Sequence, residues 1–284
     1  MVAGARARLR EAGIKDVEAD LDARLLAQQL LGWDAAQFFT AAGDSAPAWF
    51  ATQYDAVVVR RAAREPIAYI IGRQEFWDLT FEVSPAVLIP RPETELIIEA
   101  SLDLFPDAEA PITVADVCTG SGCLAVALAR ERLRATILAT DVSADALDVA
   151  RRNGARHKVE HRVRFVQTDL LRDVDESFDL IVANPPYVLR RDRVSLQPEV
   201  RDHEPAVALF AGEDGLAVIR GLIAQSAAHL KPGGTVMFEF GFGQDVEVER
   251  LVSGTPGLTL LELKRDLQGI ARTAIARKKV TGEG

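Results

Sequence analysis

From Pro111 onward the sequence predicts an α/β fold, a doubly wound, mainly parallel sheet of seven strands with helices on both faces. Two observations predict it. Short runs rich in β-branched residues alternate with helical stretches. The strand candidates are Ile112–Val117, Thr136–Thr140, Val163–Gln167, Phe178–Ala183, Thr235–Phe240, Leu258–Leu263 and Arg272–Ala276, and Leu124–Arg132, Ala144–Asn153 and Leu216–Leu230 read as helices between them. Polar residues also cluster just past the ends of the first four strands, the edge at which open α/β sheets bind ligands. The last two strands are close in sequence, so the sheet is expected to end in an antiparallel hairpin.

Residues 1–65 read as a small helical domain. Leu21, Leu25, Leu26, Gln29 and Leu30 form a stripe at helical spacing, and a second helix over Ala48–Arg64 has Trp49, Tyr54, Val57 and Val58 as its expected buried side. This domain is too short to carry chemistry alone and is expected to recognise a partner or cover the site. Residues 66–90 form a linker: Tyr69, Ile71, Phe76, Leu79 and Phe81 alternate as in a β-hairpin, with Gly72 at a turn. Residues 91–284 make up the α/β domain, entered through a helix carrying Leu96, Ile97 and Ile98. Pro92 suits the first helical turn, and Glu93 and Glu95 suit its positive end.

Composition narrows the function. The 284 residues are 48% hydrophobic and 26% charged, a globular balance. No apolar run approaches the ~18 residues of a membrane span, and the start lacks the apolar core of a signal peptide, so a cytoplasmic protein is expected. A net charge of −9 disfavours stable binding to nucleic acid. The basic runs Arg60-Arg61, Arg190-Arg191 with Arg193, and Arg277-Lys278-Lys279 read as solvated faces. Cys118 and Cys123 match neither a zinc nor a redox spacing, and the four histidines are dispersed, so no metal site is expected.

Four strand ends carry the chemistry. Asp116-Val117-Cys118-Thr119-Gly120-Ser121-Gly122 follows the first strand and opens a helix, and its glycines let backbone approach a ligand. The spacing is not the G-x-G-x-x-G of a dinucleotide site. Asp141 ends the second strand, where a carboxylate can accept from both hydroxyls of a ribose; the alternative is an N-cap, a role open to Ser143. Asp169-Leu170 ends the third strand, placed to meet an adenine's amino group and ring face, with a cap again the alternative. Asn184-Pro185-Pro186-Tyr187 ends the fourth. Its side-chain and backbone carbonyls can each accept one N–H of an –NH2 group, the prolines offer no competing donor, and the tyrosine ring can flank a flat group. Together these ends describe a nucleoside-plus-amino-acid ligand beside a captured –NH2, which fits S-adenosylmethionine.

The chain resembles the HemK-type glutamine methyltransferases, which act on peptide chain release factors, over nearly its whole length. Besides Asn184–Tyr187, the resemblance rests on Arg64–Gly72, on Ile89-Pro90-Arg91-Pro92-Glu93-Thr94-Glu95, on Glu204-Pro205 through Leu209 with Asp214-Gly215-Leu216, and on Asp266-Leu267-Gln268-Gly269 followed by Arg272. It implies a Rossmann-like S-adenosylmethionine-dependent methyltransferase domain. The implied substrate is the glutamine of the Gly-Gly-Gln loop in bacterial release factors; separately, a monomer is expected. Cys118, Thr119, Gly120, Ser121, Gly122, Asp141, Leu170 and Asn184 are the implied cofactor contacts, and Asp169 is expected among them from its strand end. Asn184, Pro185, Pro186, Tyr187, Arg91 and Thr94 are the implied substrate contacts, with Asn184, Pro185 and Tyr187 catalytic. Cys118 stands where release-factor enzymes usually carry glycine and Leu170 where some relatives carry an aromatic. A related family, acting on a glutamine of a large-subunit ribosomal protein, is closer at Cys118, and Asn184–Tyr187 alone also suits DNA amino-methyltransferases. A non-catalytic cofactor-binding module is the reading from another class.

Overall fold

A computed structural model describes residues 1–41 and 45–280, which group into two compact units. The first comprises Met1–Arg73 together with Gln197–His203. Its helices are α1 (Val2–Glu11), α2 (Asp16–Leu31), α3 (Ala35–Thr40), α4 (Phe50–Ala62) and α5 (Ile67–Ile71). Leu9, Ile14, Leu26, Phe50, Tyr54 and Val58 form its core.

The buried stripe of α2 differs from the expected one. It runs through Ala19, Asp22, Ala23, Leu26 and Ala27, whereas Leu21 is 43% exposed and Gln29 is also exposed. Alanines on the inner face let α1 and α4 approach closely, and Tyr54 Oη donates to the Ala23 carbonyl at 2.8 Å. On α4, Phe50 takes the buried place expected of Trp49 and stacks on Tyr54 with ring centroids 5.1 Å apart. Arg61 is buried rather than solvated: it donates to Asp22 at 2.7 Å and to Glu199 at 2.9 Å. A buried guanidinium requires such partners.

The hairpin is shorter than expected. Residues Ile67–Ile71 form α5, and Gly72 ends that helix at φ 79° instead of turning a hairpin. The strands are β1 (Arg73–Phe76) and β2 (Leu79–Glu82). Trp77 and Asp78, both at positive φ, make the two-residue turn, the geometry whose twist matches paired strands. Phe76 and Phe81 meet edge to face behind it.

The second unit runs from Gln74 to Leu196 and onward from Glu204. A 3-10 turn at Pro92–Thr94 leads into α6 (Glu95–Leu104). There follow β3 (Thr113–Val117), α7 (Cys123–Glu131), β4 (Thr136–Asp141), α8 (Ala144–Arg156), β5 (Val163–Gln167) and β6 (Phe178–Ala183). Past α9 (Pro198–His203), which groups with the first unit, come α10 (Ala206–Leu209), α11 (Ala217–His229), β7 (Leu230–Glu239), α12 (Asp245–Ser253), β8 (Leu258–Arg265) and β9 (Ala271–Lys278). Helix α12 went unread in the sequence; its anchors are Val248 and Val252, one turn apart.

The seven-stranded sheet has the order β5-β4-β3-β6-β7-β9-β8. Strands β3 to β7 are parallel, and β9 runs antiparallel between β7 and β8, as the terminal hairpin requires. Side chains alternate between two cores. Val114, Ile137, Leu180 and Val182 pack under α6 and α7, while Ala115, Val117, Ile181 and Phe238 pack under α11 and α12. The chain winds outward from β3 to β4 and β5, then returns to β6 on the other side. That reversal opens a crevice at the carboxyl ends of β3 and β6. Among the described residues no helix is long and apolar enough to cross a membrane.

Candidate active site

A cavity of about 750 Å³ occupies this crevice. Its size lies within the ~300–1,000 Å³ typical of small-molecule sites. Of the residues singled out in the sequence, Thr94, Cys118, Thr119, Gly120, Ser121, Asp141, Asp169, Leu170, Asn184 and Pro186 line it. Arg91, Gly122, Pro185 and Tyr187 do not.

The β3–β4 side is built from backbone. Asp116 is fully buried, with Oδ2 accepting from Thr119 Oγ1 at 2.5 Å and from the Ala125 N–H at 3.0 Å, while Oδ1 has no partner among the described residues. Burial pushes its carboxyl up to about 7, the two donors pulling the other way. These bonds fold the loop back onto the start of α7. Gly120 sits at φ 53° on the cavity wall, where an added Cβ would meet no protein atom within 4 Å and would project into ligand space. Its N–H donates to Asp141 Oδ2 at 3.0 Å, and the Ser143 N–H donates to Asp141 Oδ1 at 2.9 Å. Each carboxylate oxygen keeps a lone pair for a further donor. Burial raises the Asp141 carboxyl, and these N–H groups counter it. Ser143 caps α8 itself, accepting from Ala146 N at 3.2 Å, so Asp141 is not needed as the cap.

Leu170, at φ 58°, places an aliphatic wall beside Asp169, which is tied to Arg172 at 2.8 Å on the surface. Cys118 and Cys123 are free, and burial followed by nearby carboxylates raises both thiols, Cys123 to about 12. Neither is a thiolate nucleophile at neutral pH.

The β6–β7 side is built from side chains distant in sequence. Asn184 Nδ2 donates to Thr94 Oγ1 at 2.9 Å, and Thr94 Oγ1 donates to Glu239 Oε2 at 2.6 Å. Tyr187 Oη donates to Glu239 Oε1 at 2.8 Å. Asn184 Oδ1 and the Pro185 carbonyl accept no hydrogen bond among the described residues. Gln244 clamps the loop from behind: its Nε2 donates to the Tyr187 carbonyl at 3.1 Å and its Oε1 accepts from the Gly241 N–H at 2.8 Å. Gly215, at φ 72°, lies so close that a Cβ would stand 2.5 Å from the Tyr187 carbonyl, which gives Asp214-Gly215-Leu216 its reason.

Four of the expected contacts lie outside the cavity lining. Tyr187 is a strut, its hydroxyl held by Glu239, and does not flank the cavity. Pro185 lies outside the lining, although its carbonyl is unengaged. Arg91 turns to Glu204 at 2.5 Å, neutralising a buried carboxylate that also accepts from the Ile89 N–H. Gly122 precedes α7 at φ 80° and faces Ala150 of α8, whose Cβ would stand 3.1 Å from an added Cβ. Arg190, Arg193, Val87, Phe210 and Ala206–Ala208, none singled out for this site, also line the cavity. Of these, Ala206–Ala208 belong to the Glu204–Leu209 match, and the others depend on loop folding that no local motif announces.

The donor set suits S-adenosylmethionine: a carboxylate with free lone pairs for a ribose, an aliphatic wall for adenine, and an open glycine wall. A cavity of this kind next to an unengaged amide oxygen belongs to an S-adenosylmethionine-dependent methyltransferase. Known proteins agree. A family model described as PrmC N-terminal domain matches residues 1–72, and one described as Methyltransferase small domain matches residues 99–198. The release factor glutamine methyltransferase of Koribacter versatilis is 42% identical over 260 residues, covering 91% of each chain. That of Bradyrhizobium diazoefficiens is 39% identical over 274 residues, covering 96% of this chain and 92% of its own. The chain belongs to the release factor glutamine methyltransferase family. In fold it also resembles a methyltransferase from Pyrococcus furiosus, 19% identical with a TM-score of 0.53 over 81% of this chain and all of that one.

Proposed function

We propose that this chain methylates the side-chain amide nitrogen of the glutamine in the Gly-Gly-Gln motif of bacterial peptide chain release factors, as a cytoplasmic monomer. The observation that carries the reading is Asn184, whose Nδ2 is tied to Thr94 and whose Oδ1 is left to accept at the cavity wall. When bound, S-adenosylmethionine supplies an electrophilic methyl group on sulfur. Asp141 would accept from the ribose hydroxyls, Leu170 and Asp169 would meet the adenine, and the Cys118–Ser121 loop would hold the remainder of the ligand.

An amide nitrogen is a poor nucleophile because its lone pair is delocalised into the carbonyl. Asn184 Oδ1 and the Pro185 carbonyl each accept one N–H, which holds both protons in place and aims the lone pair away from them. Such positioning supplies much of a rate enhancement. The same carbonyl dipoles stabilise positive charge as it develops on the nitrogen, and the strongly acidic N-methylated amide cation then loses one N–H proton to water. Tyr187 shapes this grip by bracing the loop. The N-terminal helical domain recognises the body of the release factor.

The test is to incubate the enzyme with labelled S-adenosylmethionine and, separately, a release factor, a large-subunit ribosomal protein and duplex DNA, followed by peptide mapping. Label on the Gly-Gly-Gln glutamine supports the reading. Label only on ribosomal protein or DNA replaces it, and retained cofactor with no label anywhere marks a non-catalytic module.

A further inference from the structure

Glu239 is a buried carboxyl that the reaction as described leaves without a part. It ends β7 at 2% exposure, in the otherwise apolar run Val236–Phe240, and its two oxygens hold the hydroxyls of Thr94 and Tyr187. An ionised carboxylate only accepts, so both hydroxyls donate to it. Thr94 has one hydroxyl proton, and Glu239 takes it. The Thr94 oxygen can then only accept from Asn184, and the group of Asn184 that donates is Nδ2.

We infer that Glu239, acting through Thr94, sets which end of the Asn184 amide faces the substrate, making the pair the positioning residues that select an N–H donor at this site. The inference rests on the proposed capture of a glutamine amide and deepens it. With Glu239 ionised, Nδ2 is turned to Thr94 and Oδ1 meets the incoming –NH2. With Glu239 protonated, its O–H can donate to Thr94 and the Thr94 proton can pass to Asn184 Oδ1. The amide then turns over and sets an N–H against the substrate's N–H, which is repulsive. One proton on Glu239, 145 residues along the chain from Thr94, which is itself 90 from Asn184, thereby changes what the site accepts.

The groups that face Glu239 come from three elements besides β7. Burial pushes its carboxyl up, the Thr94 and Tyr187 hydroxyls pull it down, the Glu93 charge raises it, and Arg272 of β9 lowers it. Loss of function is therefore expected on the acid side, as Glu239 takes up a proton.

The experiment measures methylation of intact release factor at saturating S-adenosylmethionine from pH 5 to pH 8, with cofactor affinity and thermal midpoint measured alongside. Thr94→Val keeps the shape but removes the relay, and kcat is expected to fall about 10²-fold while cofactor affinity changes less than about threefold. Thr94→Ser keeps the hydroxyl and is expected to recover kcat to within about fivefold of wild type. Glu239→Gln has no charge to lose, so its lowered rate should show no acid limb. A Thr94→Val enzyme with wild-type kcat overturns the inference, as does an acid limb unchanged in Glu239→Gln. The Asn184 side-chain amide resonances of the ¹⁵N-labelled full chain give an independent reading. They should move with pH in the wild type and stay fixed in Thr94→Val, and pH-independent wild-type resonances would overturn the relay. If wild-type enzyme labels no release factor, the substrate assignment fails, and these resonances still decide the relay.

Discussion

On the β3–β4 side of the cavity, Asp141 is held by the N–H groups of Gly120 and Ser143, 21 and 2 residues away. On the β6–β7 side, Asn184 is held by Thr94, and Thr94 by Glu239, across 90 and 145 residues. The first arrangement is secured by backbone and is locally encoded: once the strands end, the N–H groups are there. The second exists only when three separate segments are folded together. Binding of the cofactor should therefore survive perturbations that abolish capture of the substrate, and each side should fail in its own way.

The sharpest separation is at Asn184. Asn184→Ala is expected to lower kcat/KM for release factor by about 10³-fold or more, since it removes a group aimed at the developing charge. Calorimetry should still detect S-adenosylmethionine binding in that variant. Near-normal turnover would break the comparison. The mirror experiment is Asp141→Ala, expected to weaken cofactor binding about 10²-fold through loss of charge-assisted hydrogen bonds. At saturating cofactor its kcat should stay within about fivefold of wild type.

Asp116 offers a pH test of the backbone-built side. Its carboxyl lies near 7 in the fold against an ordinary 3.8, so between those values the native state holds more protons than the unfolded chain. Stability should then fall as pH rises from about 4 to about 7, by at most about 1.4 kcal/mol per pH unit from this group. Asp116→Asn should flatten that slope in chemical denaturation. An unchanged slope would assign it to Asp141 and Glu239, whose carboxyls burial also raises. The smallest effect is expected at Cys118, a non-glycine residue at φ 60°. Cys118→Gly should relieve backbone strain of about 1–2 kcal/mol, less ~0.4–1 kcal/mol for the freer unfolded chain. A lower thermal midpoint would show that the cysteine side chain contributes more packing than its backbone conformation costs.

What could be read in advance follows the same division. The seven strands and the four polar strand ends were legible because hydrophobic periodicity and turn chemistry are local. Ser143 caps α8, as its spacing suggested. Glu239 was passed over because Thr235–Phe240 reads as an ordinary buried strand, although a carboxylate in such a run must find partners and could have raised the question. The Tyr187 hydrogen bond was hidden for the same reason: a tyrosine beside two prolines suggests a flat wall, and only the fold supplies the carboxylate that takes its hydroxyl. In the helical domain, leucine spacing misled because Ala19, Ala23 and Ala27 pack inward and Leu21 does not. Gly72 misled because a helix C-cap and a hairpin turn require the same positive φ.

The most direct test is a crystal structure of the full chain with the demethylated cofactor product and a peptide containing Gly-Gly-Gln. The expected result places the glutamine amide nitrogen within about 3 Å of Asn184 Oδ1, with Asn184 Nδ2 still on Thr94. A glutamine bound away from Asn184, or an Asn184 that meets it through Nδ2, would contradict the account.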